Sequence, residues 1–286
     1  MLLFLLLLSI SVFSEVLFAD GQKSPQIVIV DDVKDVFPAK PVHTAVHKFR
    51  FQTRMDRSNS VETSQSESVE LHTVEYMKGS QRRVGIVIES LGVTQKKGKD
   101  TFKIDGKSVF KNAKLAMNLD CANPDSVKRE GFQEALGRIE SKIQSKEARA
   151  VLADYVNSIA EQVPSQCQKA LGPFNESNFF GKTPGSVWEE SVPVQGFEGA
   201  KLKAKFLGWS RDQGKLFAVL EGRLNAETGT NPSLEAKSSI DVVTYFFVEK
   251  NWKTIRRTST TQFVVSTADG NLSGSTKIEQ IINQVN

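Results

Sequence analysis

Two sets of side chains alternate along HKFRFQTRM (47–55): a mainly apolar set that also contains His47 and Thr53, and a mainly cationic set that also contains Gln52. In an extended chain Phe49, Phe51 and Met55 fall on one side, and the cations between them fall on the other. The same two-residue period recurs in two later segments, VELHTVEYM (69–77) and RRVGIVIES (82–90). The pattern predicts an antiparallel sheet with one buried face and one solvated face.

The spacing becomes helical between residues 124 and 163. Apolar residues there recur three and four positions apart, as on one face of an α-helix. The tripeptide Pro124-Asp125-Ser126 predicts the start of the helical segment, and Pro164 predicts its end. One long helix and two helices meeting near 144–147 both fit, because the middle of the segment contains no Gly or Pro.

Strand-like alternation returns in the second half of the chain. Apolar residues alternate with lysines from 201 to 206, and residues 240–266 read as two strands joined by a Lys-Asn turn. The last segment, TKIEQIINQV, carries isoleucines at helical spacing and predicts a short amphipathic helix at the C-terminus.

Together these patterns predict an α+β fold, in which antiparallel β-rich halves are interrupted by a helical segment and followed by a short C-terminal helix. The predicted divisions are a signal peptide (1–19), a first β-rich half (20–120), a helical insert (121–170) and a second β-rich half (171–286).

The N-terminus predicts export. Residues 2–13 are almost wholly apolar, and Ala19 offers a cleavage site before Asp20. An uncleaved anchor is the alternative, although Glu15 interrupts the apolar run. No later stretch of the sequence is apolar enough to span a bilayer, so the mature chain is predicted to be periplasmic or secreted.

The chain has two cysteines, Cys121 and Cys167, which bracket the predicted helical insert. An even cysteine count in an exported protein favours a disulfide. In the chain-entropy model, closing a loop of about 47 residues stabilises the fold by roughly 4 kcal/mol. A catalytic or metal-binding role is disfavoured, because neither cysteine has a neighbouring His and there is no CxxC motif.

Few residues indicate catalysis. The three histidines are His43, His47 and His72. On a strand, His43 and His47 would stand about 13 Å apart, too far for one zinc ion. Nucleophile elbows, phosphate loops and dinucleotide fingerprints are absent from the sequence. The sequence therefore predicts no enzyme activity, no cofactor and no metal, and the alternative is a hydrolase whose site the sequence does not reveal.

The charge adds a candidate surface. The formal net charge is +4, and removal of residues 1–19, which contain Glu15 and no base, makes it +5. This net positive charge is too small to indicate nucleic-acid binding. Two strands nevertheless carry cations on one face, which is typical of a solvated sheet face and also suits contact with an anionic surface. These candidates are Lys48, Arg50, Arg54, Lys201, Lys203 and Lys205.

The apolar strand faces have two interpretations as well. Val84, Ile86 and Ile88, with Phe49 and Phe51, suit a packed core. A curved antiparallel sheet with a helix across it also holds lipid tails in known folds, so a carrier of a lipid or another hydrophobic molecule is a second hypothesis.

The segment GKTPGSVWEESVPVQGFEGAKLKAKFLGW (181–209) resembles a recurring piece of exported, β-rich bacterial proteins of unknown function. In those proteins a Pro-Gly-rich segment leads into Gly-x-x-Trp and then into paired strands. The matching residues here are Gly185, Val187 and Trp188. The resemblance implies an exported, non-catalytic protein and no particular site.

The leading functional prediction is a non-enzymatic binding protein of the cell envelope, whose partner is an envelope protein or an anionic surface component. A carrier of a hydrophobic molecule and a structural subunit of an envelope-associated complex are the alternatives.

Overall fold

The computed structural model describes residues 27–41, 45–166, 178–192, 200–227, 237–267 and 270–285. The predicted signal peptide (1–19) and Cys167 lie outside these ranges. Most of the described chain is a large antiparallel sheet. Its strands are β1 (Val46–Asn59), β2 (Glu62–Tyr76), β3 (Gln81–Lys97), β4 (Asp100–Asp105), β5 (Leu115–Asp120), β6 (Asn123–Glu130), β7 (Val187–Ser191), β8 (Lys201–Asp212), β9 (Lys215–Glu227), β10 (Lys237–Glu249), β11 (Thr254–Thr267) and β12 (Gly270–Val285). The α-helices are α1 (Lys107–Phe110), α2 (Phe132–Lys142) and α3 (Lys146–Gln166).

The strand order shows how the two halves join. Across the sheet it runs β6-β5-β3-β2-β1-β12-β11-β10-β9-β8-β7, and β4 pairs with the second part of β3. The C-terminal strand β12 lies between β1 and β11 and pairs antiparallel with both. The two β-rich halves are therefore parts of one sheet, with β12 as the junction.

The predicted C-terminal helix is wrong, because the segment forms β12. Its isoleucines satisfy both periods. On the strand, Ile278 and Ile282 point to one face, and Ile281 points to the other. Hydrogen bonding decides between the two conformations: without β12, both β1 and β11 would lose a complete set of backbone partners.

The predicted start of the helical insert at Pro124 is also wrong. Residues 123–130 form β6, which pairs with β5, and helix α2 begins only at Phe132. The boundary is Gly131, at φ +79°, where a Cβ would stand 2.1 Å from the carbonyl oxygen of Lys114. Only glycine fits this close approach with a positive φ.

Two helices form rather than one, with a break at residues 143–145 between α2 and α3. The predicted stop at Pro164 is wrong, since α3 continues to Gln166. Proline has no N–H to donate to the carbonyl of Ala160. The Arg129 guanidinium of β6 donates to that carbonyl instead, at 3.3 Å.

The buried apolar residues form two separate cores. The helical core joins β3, β4 and β5 to the three helices, with Met117, Leu152 and Val156 fully buried. The aromatic core joins β8–β11 to the segment around Phe37 and Phe179. In the described part of the chain, no helix is both long and apolar enough to cross a membrane.

Candidate functional site

The two predicted cationic surfaces lie on the same side of the sheet but far apart. Strand register places Lys48, Arg50 and Arg54 of β1 on one face, called here the outer face. The register across β9–β12 places Lys201, Lys203 and Lys205 of β8 on that same face. Four strands separate β1 from β8, about 24 Å along the sheet.

The two surfaces also differ in their ion pairs. Arg50 pairs with Glu89 at 2.9 Å, and Arg54 contacts Asp56 at 3.2 Å and Glu67 at 3.9 Å. The three β8 lysines are exposed, and none has an ion pair with another described residue. Among the six predicted cations, the three lysines of β8 are therefore more available to an external anion than Arg50 and Arg54 are.

Cys121 lies at the turn after β5. Its N–H donates to the carbonyl of Ser80 at 3.0 Å, and the Arg82 guanidinium donates to its sulfur at 3.2 Å. Its predicted partner, Cys167, is outside the described residues, so the disulfide remains a prediction.

Among the described residues there is no group of three or more His, Cys, Asp or Glu side chains placed to hold a metal ion.

The opposite face of the sheet, called here the inner face, carries both cores. Paired residues of an antiparallel sheet point to the same side, so the register can be followed from strand to strand. Ile88 of the helical core lies opposite Glu70, which lies opposite Phe51 and then Ile282. Ile282 lies opposite Ile255 of the aromatic core. The helices and the Phe37 segment therefore cover two ends of one surface.

Between these covers, β2, β1 and β12 present what we call the central strip. Phe51 and Ile278 are buried there but belong to neither core. Polar side chains are buried beside them. The residues of the strip are Phe51, Thr53, Met55, Ser68, Glu70, His72, Ile278 and Gln280.

One row of the strip is polar on successive strands. Ser68, Thr53 and Gln280 lie directly opposite one another on β2, β1 and β12. The next residue in the row is Arg257 of β11, which is only 5% exposed. Its guanidinium stands 5.2 Å from the ring centre of Phe246. Such a row differs from an ordinary core, where buried polar groups are few.

Glu70 is the hydrogen-bonding centre of the strip. One carboxylate oxygen lies 2.7 Å from His72 Nε2, and the other accepts the Tyr155 hydroxyl of α3 at 2.7 Å. The ring of Phe51 packs on His72 with centres 4.3 Å apart. Burial raises the pKa of Glu70, but His72 and Tyr155 outweigh it and hold the pKa below its usual value. Ionised Glu70 thus anchors α3 to the sheet.

Arg57 is a further charged residue on the inner face. It is half-buried on β1, directly between Ser64 of β2 and Thr276 of β12. Burial lowers the pKa of its guanidinium. In the described part of the chain, no hydrogen bond or ion pair reaches this side chain.

Sequence reasoning overlooked Glu70, His72 and Arg57 as a group. The sequence did contain a signal, namely whether a residue number along the strand is odd or even, because this decides the face of the sheet. Lys48, Arg50 and Arg54 occupy even positions of β1 and face outward, whereas Arg57 occupies an odd position, as Phe49 and Phe51 do. In β2, Glu70 and His72 likewise occupy positions that face the interior.

Comparisons with known proteins give distant likenesses. No family model matches the chain, and no curated protein matches it. Among solved structures, lipovitellin shares 9% identity over 84% of this chain, with a TM-score of 0.40; the chain spans 25% of the lipovitellin chain. A putative outer membrane lipoprotein-sorting protein domain from Vibrio parahaemolyticus shares 11% identity over 84% of this chain and 83% of its own, with a TM-score of 0.15. A DUF1329 family protein from Desulfovibrio piger shares 8% identity over 84% of each chain, with a TM-score of 0.16. TM-scores this low carry no argument about this chain.

Proposed function

We propose that this chain is a non-enzymatic binding protein of the cell envelope that holds a lipid or another hydrophobic molecule on the central strip. The observation that carries the proposal is the division of the buried interior into two cores on one sheet face, with the strip between them. A domain usually has one contiguous core. Because most strip residues are already buried, a ligand would have to enter between the two covers, and the divided core leaves this region without continuous apolar packing.

The composition of the strip supports the same function. Ligand sites are mainly apolar and contain a few polar groups that orient the ligand. The strip combines Phe51, Met55 and Ile278 with buried hydroxyl, amide and carboxylate groups. Replacing a buried hydrogen-bonded network with apolar side chains of similar size is often neutral or stabilising, so a purely structural strip would not require these polar groups.

We also propose that the chain has no catalytic activity. Both oxygens of Glu70 are already engaged by His72 and Tyr155, so this acid is poorly placed to act as a general base. Location in the envelope is inferred from the signal-like N-terminus.

Two adjacent isoleucines of β12 provide a matched test. Ile282 points to the inner face, where it lies directly opposite Phe51 of the central strip and packs at the edge of the aromatic core, whereas Ile281 points to the outer face. Both are half-buried. We expect Ile282→Gln to reduce the affinity for a fluorescent fatty-acid probe by about tenfold, since it removes apolar contact. We expect Ile281→Gln to leave the affinity within about twofold. Titration of delipidated protein measures both.

The purified wild-type protein gives an independent result. Native mass spectrometry and solvent extraction are expected to recover a bound lipid. Failure of the wild type to bind any probe, together with an empty native spectrum, would contradict the proposal, as would equal losses in the two variants. Thermal melting of each variant shows that the comparison concerns folded protein.

The unpaired lysines of β8 favour a second function, binding to an anionic surface. We expect the triple variant Lys201→Gln, Lys203→Gln and Lys205→Gln to reduce binding to phosphatidylserine vesicles by at least about tenfold, because each lysine near such a surface contributes about 1 kcal/mol. Cosedimentation at low salt measures the effect.

A matched triple variant of Lys96, Lys97 and Lys99 removes the same charge from the end of β3 and the turn that leads to β4. It is expected to retain vesicle binding. Equal losses in the two triple variants would mean that net charge, and not the β8 surface, is responsible.

A further inference from the structure

Arg57 lies at the end of the central strip nearest the hairpin between β1 and β2. The preceding inner-face residue of β1 is Met55, which lies directly opposite Ile278 of β12. The residues directly opposite Arg57 are Ser64 and Thr276. The Arg57 side chain therefore leaves the sheet between two hydroxyl-bearing residues, one strand position beyond an apolar pair.

The charge of Arg57 lacks a counter-ion within the described residues. The strand beside it does carry a carboxylate on the same face, that of Glu62. This carboxylate accepts a hydrogen bond from the Gln95 side chain at 3.0 Å and forms no ion pair with Arg57. Partial burial of a charge without a counter-ion is unfavourable, and a bound anion would remove that cost.

We propose that Arg57, with the hydroxyls of Ser64 and Thr276, binds the anionic headgroup of an amphiphile whose apolar chain begins at Met55 and Ile278. This inference rests on the proposed function and specifies its ligand class. A guanidinium suits the role, because its parallel N–H groups bind a carboxylate or phosphate through two hydrogen bonds. Serine and threonine hydroxyls add donors on either side.

Oleate and oleyl alcohol test the headgroup, because they have the same apolar chain and differ in charge. Isothermal titration of the delipidated full chain is expected to show oleate binding at least about tenfold tighter than the alcohol. Arg57→Met is expected to abolish this preference and to leave the affinity for the alcohol nearly unchanged. Arg57→Lys is expected to retain part of the preference, because it keeps the charge.

Arg54→Gln is the matched control, since it removes a cation from the outer face of the same strand, where Arg54 is already paired with Asp56. It is expected to retain the preference for oleate. Because Arg57→Met removes a poorly solvated charge, its melting temperature without ligand is expected to equal or exceed that of the wild type.

The outcomes separate the two proposals. Equal affinities of the wild type for oleate and the alcohol, or a preference that survives in Arg57→Met, would overturn the headgroup site and leave the carrier function standing. Binding of neither compound would overturn both. An additional titration with oleoyl lysophosphatidate distinguishes the source of the charge, because tighter binding than oleate assigns a phosphate headgroup.

Discussion

Replacement of Glu70 with alanine is expected to lower the free energy of unfolding by about 3–5 kcal/mol. The change removes the acceptor of two hydrogen bonds of 2.7 Å and leaves the His72 ring and the Tyr155 hydroxyl without their shared partner. His72 is buried and Tyr155 is half-buried, and such losses are largest where water reaches poorly. Urea denaturation monitored by circular dichroism measures the effect.

Glu67 of the same strand provides the control. It is exposed on the outer face, and its contact with Arg54 is long, at 3.9 Å. Glu67→Ala is expected to change the free energy of unfolding by less than about 1 kcal/mol. A Glu70→Ala variant as stable as Glu67→Ala would show that the carboxylate of Glu70 does not anchor α3.

The same carboxylate predicts a pH dependence. The pKa of Glu70 is lower in the folded protein than its ordinary value of 4.5, so unfolding is coupled to proton uptake. The stabilisation is complete above about pH 4.5, the value expected for the unfolded chain, and is lost as the pH falls through the lower folded value. Urea midpoints measured from neutral to acidic pH should fall less steeply for Glu70→Gln than for the wild type.

The sequence predicted the sheet well where one face is apolar and the other charged. The alternation in β1 fixes which side chains share a face, because a strand has a side-chain period of two. The six candidate cations, predicted on solvated strand faces, lie at exposed or half-buried strand positions in the structure. The ion pair of Arg50 with Glu89 of β3 and the longer contact of Arg54 with Glu67 of β2 join different strands, and such partners are not visible in a single sequence.

The central strip was hidden for a related reason. Its polar residues interrupt the apolar face of each strand. In a single strand, such an interruption looks like a position of weak strand propensity or a position at the edge of the sheet. Only the register aligns Ser68, Thr53 and Gln280 in one row. The prediction for the C-terminal segment was wrong for a different reason. Its isoleucines fit the helical and the strand period, and the segment forms a strand because it pairs with the edges of β1 and β11.

Replacement of Trp209 with alanine is expected to destabilise the aromatic core by about 3–5 kcal/mol. Trp209 is fully buried, packs edge-on against Phe206, and donates its indole N–H to the carbonyl of Asp35 at 2.8 Å. The variant creates a cavity and deprives this carbonyl of its donor, which adds to the cost. Urea denaturation measures the loss.

Trp188 is the graded control, because it is half-buried at the edge of the same core. Its alanine variant is expected to lose less stability than Trp209→Ala, and a larger loss would contradict the assigned centre of the core. Trp209 also attaches the segment around Phe37, one of the two covers of the inner face, through Asp35. If the central strip holds a ligand between these covers, Trp209→Ala should weaken fatty-acid binding even in the fraction that remains folded, since the boundary of the site would loosen while every residue of the strip stays unchanged.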